Sequence, residues 1–154
     1  MKKALEELLA KEKVKYEVIK HDLAYTAQEI AAAEHIPGRK VTKTVIVKAD
    51  GEPRVLVLSA ASMVDFMKLK EVLSCKELVL ASEEEIAELF PDFEIGAIPP
   101  FAQLINVPVY LDERLSENDR ISVNACSHTE AVILNYGDFE KISGGLKASF
   151  SKHI

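Results

Sequence analysis

Residues 43–60 read "KTVIVKADGEPRVLVLSA". Two runs rich in valine, isoleucine and leucine, "KTVIVK" and "RVLVLSA", flank "ADGEP", where Asp50-Gly51 supplies the dipeptide favoured by tight hairpin turns. The pattern predicts an antiparallel hairpin. In its first arm the odd positions are Lys43, Val45 and Val47, and the even ones are Thr44, Ile46 and Lys48. Alternation therefore sets Lys43 on a face with two valines. Outward from the hairpin, "ELVLA" (77–81), "PVYLD" (108–112), "RISVNA" (120–125) and "EAVILN" (130–135) also read as strands, and "KYEVIK" (15–20) alternates like a short one. Leu5, Leu8 and Leu9 predict a helix over 2–13. Thr26 and Glu29 have capping-box spacing, with Tyr25 and Ile30 as a hydrophobic staple and Pro37-Gly38 ending the segment. Asp65 caps a short helix to about Val72. Ser82 and Glu85 form a second box, opening a helix that stops before Pro91, and a further short helix is expected near 138–142. Helices and strands are mixed, with several strands adjacent late in the chain. This predicts one α+β domain with a mixed, curved, barrel-like sheet and flanking helices. It is expected to occupy residues 1–143, with "GGLKASFSKHI" (144–154) as a loose C-terminal tail.

The chain has 154 residues, enough to bury a core without staples. Its 48% hydrophobic and 29% charged residues are ordinary for a globular domain. No apolar run approaches the roughly 20 residues needed to span a bilayer, so no membrane partner is expected. The first residues, "MKKALEELLAKEKVKY", begin like a signal peptide, but Glu6, Glu7, Lys11 and Glu12 interrupt any apolar core, and a cytoplasmic protein is expected. Cys75 and Cys126 are too few for a disulfide framework and lack CxxC spacing. Cys126 and His128 have no second ligand pair nearby, so no metal site is expected. The net charge of −6 excludes broad coating of nucleic acid. Yet "PGRKVTKTVIVK" (37–48) carries Arg39, Lys40, Lys43 and Lys48 with no acid, while "SEEEIAELFPDFE" (82–94) carries six acids and no base. A small basic site on an acidic body suits one phosphate or a nucleic-acid end rather than a long duplex.

Three features carry candidate chemistry. The first is "EIGAIPPFAQ" (94–103). Pro99 and Pro100 each remove a donor and fix φ, and Pro99 pushes Ile98 toward extended geometry. Gly96, Ala97, Ile98 and Phe101 keep their N–H groups, which can stabilise an oxyanion. The same stiffness also suits a plain crossover between strands. The second is Lys43, which can reach a phosphate or a carbonyl oxygen, or can simply lay its stem over apolar surface. The third is "NACSHTEA" (124–131), where Asn124, Ser127, His128 and Thr129 either line a pocket mouth or make local backbone bonds. His21, at the end of the first strand beside Asp22, reads first as a surface histidine.

The ordered stretches "GRKVTKTVIVKADGEPRVLVLSA", "GAIPPF", "VPVYLD" and "VNACSHTEAVILNYGDFEKI" resemble the YbaK/ProX superfamily of aminoacyl-tRNA deacylases. That superfamily includes the editing domain inserted in bacterial prolyl-tRNA synthetase and its free-standing relatives. The resemblance covers residues 14–143. It implies hydrolysis, in trans, of the ester of mischarged tRNA, with misacylated tRNA for proline as one candidate substrate. It implies no metal or organic cofactor, and as partners the aminoacylated tRNA acceptor end and a synthetase. It places Lys43 and the loop residues Gly96, Ala97 and Ile98 in catalysis. Around the substrate it places His21, Thr26, Thr44, Pro99, Pro100, Phe101, Asn124, Ser127 and His128. Lys43 would hold the phosphate of the terminal adenosine or the aminoacyl carbonyl, and water, alone or assisted by the ribose hydroxyl, would attack. In the branch most similar to this chain, the position of Cys126 is usually glycine. If that glycine needs positive φ, the pocket differs here. The alternative reading is a non-catalytic module of the same fold that binds tRNA or a synthetase.

Overall fold

A computed structural model describes residues 2–23 and 27–154, apart from the side chains of Ala27, Gln28 and Ile30. The hairpin predicted from residues 43–60 is the centre of the fold. Strands β2 (Thr42–Ala49) and β3 (Glu52–Ser59) pair antiparallel from Thr42↔Ser59 to Ala49↔Glu52. Both turn residues have positive φ, +50° at Asp50 and +84° at Gly51. This is the two-residue turn whose twist matches the strands. The Asp50 carboxyl also accepts from the Lys76 and Glu77 amides. It thereby docks β5 (Leu78–Leu80) beside β2.

On the other side of the hairpin, β6 (Val109–Asp112) runs parallel to β3, and β9 (Leu146–Ala148) runs parallel to β6. The result is a five-stranded mixed sheet in the order β5-β2-β3-β6-β9. A second, three-stranded sheet sets β1 (Tyr16–Lys20) and β7 (Arg120–Asn124) against the two edges of β8 (Glu130–Asn135). A parallel bridge from Val41 to Ser122 brings it to the start of β2. The sheets are open rather than closed, so the barrel-like description does not hold, while the α+β class with a mixed sheet does.

Both faces of the large sheet are covered, which is why β3 is a nearly continuous apolar run rather than an alternating one. Ile46, Val55 and Val57 face a core built with Leu5 and Leu9 of α1 (Lys3–Lys11) and Phe139 of α6 (Tyr136–Ser143). Val47, Leu56 and Leu58 face a smaller core with Phe150 and with Leu69 of α3 (Phe66–Leu73). Local signals set the helix starts. Asp65 accepts from the Met67 and Lys68 amides, and Ser82 and Glu85 complete their capping box at the start of α4 (Glu83–Leu89). Ahead of α4 in the chain, α2 (Ala27–Glu34) precedes the Gly38–Lys40 turn. The box and staple expected for it rest on Thr26, Tyr25 and Ile30, whose relevant groups lie outside the described residues. Between α4 and α6, α5 (Ala102–Ile105) follows the proline loop.

The C-terminal segment corrects the expectation of a loose tail. Residues 146–148 form β9, and β10 (Ser151–His153) pairs with β4 (Ser62–Val64). Phe150 is fully buried. The anchor is Asp112, itself buried, which accepts from the Phe150 amide at 3.2 Å and the Ser151 hydroxyl at 2.6 Å. Replacing Asp112 by alanine strands two buried donors, at about 1–3 kcal/mol each. Asp112→Ala is expected to lower Tm by roughly 4–24 °C, on the scale of 2–4 °C per kcal/mol for a domain of this size. Calorimetry that shows no change would detach the C-terminal strands from the folded unit.

Candidate active site

The loop of residues 95–101 is held from behind. Ala97, Ile98, Pro99, Pro100 and Phe101 are buried, and Phe101 packs edge-on against Phe139 with ring centroids 5.7 Å apart. Two of the four surviving N–H groups are already used: Ala97 donates to the Glu94 carbonyl and Phe101 to the Pro99 carbonyl. Among the described residues no acceptor takes the amides of Gly96 or Ile98. The sequence-expected set of backbone donors thus narrows to these two.

The loop is joined to the 125–129 turn by one side chain. Asn124, at the end of β7, donates through Nδ2 to the Ile98 carbonyl at 2.9 Å and accepts through Oδ1 from the Cys126 amide at 3.1 Å. Cys126 has φ +64°, as a glycine position there would require. The turn then carries His128 to the loop. Its ring lies so close to Gly96, itself at φ +85°, that a Cβ on Gly96 would sit 3.0 Å from Cε1. His128 Nε2 is 3.4 Å from a Glu94 carboxylate oxygen. Ser127 stays within its turn, bonded to Thr129.

In front of the loop, Thr44, Ile46, Glu83, Ile86, Ile95, Gly96 and Ile98 enclose a cavity of about 230 Å³. The Thr44 hydroxyl is buried there without a hydrogen-bond partner among the described residues. That volume lies below the usual range for drug-sized ligands and suits a group no larger than an amino acid. Pro99, Pro100 and Phe101 support the loop and do not line the cavity. Lys43 does not line it either. It pairs across the hairpin with Leu58, on the face of Val45 and Val47. Burial lowers its pKa, because desolvation disfavours the ammonium.

His21 belongs to a neighbouring, separate cluster. Its side chain is 1% exposed, with Nε2 3.5 Å from Glu34 Oε2, an ion-pair distance rather than a hydrogen bond. Nδ1 lies 2.8 Å from the Asp22 carbonyl. Ser122 donates to the other Glu34 oxygen at 2.6 Å. Burial raises the Glu34 pKa, against the opposing effects of the Ser122 bond and His21. A cavity of about 20 Å³ beside them, also touched by Asn124 and Ser127, has room for a single water. Glu34 stands between His21 and Ser122, so the serine is not activated by the histidine as in a hydrolytic triad. Thr26 lies outside the described residues. Sequence reading did not single out Glu34 or Ser122, which meet only through tertiary packing, nor Ile86 and Ile95, which look like ordinary core residues. Among the described residues no cluster of three or more His, Cys, Asp or Glu side chains is placed to hold a metal ion. No helix among them is long and apolar enough to cross a membrane.

Solved structures share this architecture. A hypothetical protein superposes with TM-score 0.85 at 20% identity, over 96% of this chain and 99% of its own. A protein provisionally described as a trans-editing enzyme for prolyl-tRNA synthetase gives 0.81 at 20% identity, over 96% and 94%. Their likeness defines the fold class, a compact α+β domain with this strand order. The chain belongs to the aminoacyl-tRNA editing domain family, whose model matches residues 21–142. The prolyl-tRNA editing protein ProX of Acetoanaerobium sticklandii is 26% identical over 136 residues, 84% of this chain and 82% of that protein. The proline–tRNA ligase of Geobacter metallireducens is 32% identical over 82 residues, 53% of this chain but 14% of the ligase.

Asn124→Asp keeps an acceptor for the Cys126 amide but turns an oxygen toward the Ile98 carbonyl. The lost bond and the new repulsion are expected to cost about 1–3 kcal/mol. Hydrogen exchange at the bonded loop amides, Ala97 and Phe101, should accelerate together with the fall in thermal stability. Unchanged exchange at both amides would show that Asn124 does not hold the loop.

Proposed function

We propose that this aminoacyl-tRNA editing domain hydrolyses the ester of a mischarged tRNA in the cavity between β2 and the 95–98 loop. The observation that carries this reading is the pair of uncommitted amides, Gly96 and Ile98, at the rim of a small, mostly apolar cavity. An activated ester needs positioning and stabilisation of the oxyanion more than it needs a protein nucleophile. The amino-acid side chain enters among Ile46, Ile86, Ile95 and Ile98, with Thr44 and Glu83 as the polar residues of the wall. The carbonyl oxygen turns to the two amides as water attacks the carbonyl carbon. Collapse of the tetrahedral intermediate expels the ribose hydroxyl, which takes up a proton, and frees the amino acid. His128 borders the rim and contacts the substrate there. Burial of the thiol pushes Cys126 up to about 11, so thiolate attack plays no part near neutral pH.

Lys43 acts outside the cavity. Its face on β2 is opposite that of Thr44, and among the described residues no carboxylate pairs with it. Of the two ligands open to it, the phosphate of the terminal adenosine suits this placement better than the aminoacyl carbonyl. Names of relatives point to tRNA for proline as the substrate and to a prolyl-tRNA synthetase as the functional partner. A chain acting on such tRNA works in the cytoplasm.

The test compares variants across Ala-, Ser- and Cys-charged tRNA. Gly96→Val meets both the positive φ and the His128 ring and should lower the rate without broadening substrate choice. Removal of one oxyanion donor corresponds to about 2.7–4 kcal/mol of barrier. Ile98→Ala should instead widen the accepted range, each methylene shifting discrimination by roughly 1–3 kcal/mol. Lys43→Ala should remove most activity with the fold intact. If none of the three alters rate or preference, the loop is only a crossover and the reaction lies elsewhere.

A further inference from the structure

A second cleft, of about 300 Å³, opens where the Gly38–Lys40 turn, the start of β4 and the Glu113–Glu117 turn meet. Arg39, Arg114, Ser62, Asn118 and His153 line it, with Glu117 as the only acid in the wall. Among the described residues neither arginine forms an ion pair. The site is fixed by packing: Asn118 is buried and donates through Nδ2 to the Arg39 and Leu115 carbonyls, tying the two turns together. The other end of the basic segment is occupied differently. Lys48 is paired with Glu85 of the acidic helix, and this bond, with those to Ser82, holds the Glu85 carboxyl down at about 2. The free positive charge of residues 37–48 is thus concentrated at the Arg39 end. In a chain of net charge −6, two unpaired guanidinium groups in one cleft mark a local anion site.

The position of the cleft bears on which anion fits it. Arg39 is five residues from Thr44, which lines the cavity described above, and five residues of chain span at most about 18 Å. A stacked nucleic-acid strand advances about 3.4 Å per phosphate, so the cleft lies within about five nucleotides of an ester held at Thr44. Arginine's planar fork matches phosphate oxygens in two-point contacts.

We propose that this cleft is a second tRNA contact, in which Arg39 and Arg114 neutralise acceptor-strand phosphates a few nucleotides from the aminoacylated 3′ end. The inference rests on the deacylase reading, and its test separates the two. Arg39→Gln, Arg114→Gln and the double variant are compared with Arg54→Gln, the same charge change at the opposite end of the hairpin. Three substrates are used: charged tRNA, 3′-aminoacyl-adenosine, and an uncharged RNA hairpin with a single-stranded 3′ end. The double variant is expected to raise KM for charged tRNA by roughly tenfold with kcat unchanged. It should leave aminoacyl-adenosine hydrolysis intact. It should also flatten the log–log salt dependence of hairpin binding by about 1.4, or 0.7 per lost single-strand phosphate contact. Arg54→Gln should change none of these. Wild-type affinity and salt slope in the double variant would overturn the inference, as would an equal loss on aminoacyl-adenosine. If the wild type cleaves neither ester, the deacylase reading fails and hairpin binding alone decides the cleft.

Discussion

The side-chain amide of Asn124 is the constraint on which the site depends. It spans two loops that are distant in sequence, bonding the Ile98 carbonyl on one and the Cys126 amide on the other. Once it is in place, the 95–98 loop cannot shift without disturbing the turn that carries His128. Gly96 is then forced to be glycine for two independent reasons, its positive φ and the imidazole against it. The prolines act in the same direction: they restrict the unfolded loop and so lower the entropy lost on fixing it. Neutral parts thereby produce a rigid edge on which the Gly96 and Ile98 amides are left uncommitted among the described residues.

The same linkage accounts for the residue that departs from the related pattern. Cys126 adopts the left-handed conformation that glycine accommodates freely, and a non-glycine residue there carries roughly 1–2 kcal/mol of strain. Its thiol is buried in the main core, which contributes apolar contact in return. The geometry expected of a glycine is therefore retained with a different residue, and the bond to Asn124 holds it there.

Much of the fold was legible because its signals are local. Asp50-Gly51, the Asp65 cap and the Ser82–Glu85 box each specify a turn or helix start within four residues, and each is present. The short strands β4, β9 and β10 were not legible. Three residues carry too little periodicity, and the start of β10 is anchored by Asp112, 38 and 39 residues away from its partners Phe150 and Ser151. At the site, the stiff loop and Asn124 could be picked out, since proline, glycine and polar turn residues have few other uses in an apolar setting. The division of labour within the loop could not, because it depends on which carbonyls lie within reach of Ala97 and Phe101. Strand alternation did place Lys43 with Val45 and Val47, but only the packing showed that the cavity lies on the opposite face, beside Thr44. His21 looked exposed, and its burial follows from Glu34 and Ser122, which no sequence spacing connects to it.

Positioned backbone amides and water are proposed to break the aminoacyl ester. The most direct measurement is the release of amino acid from a panel of charged tRNAs by the purified wild-type chain, against spontaneous hydrolysis and with a metal chelator present. Acceleration is expected for at least one tRNA bearing a small side chain, undiminished by the chelator. No acceleration for any charged tRNA, or activity abolished by the chelator and restored by a metal ion, would contradict it.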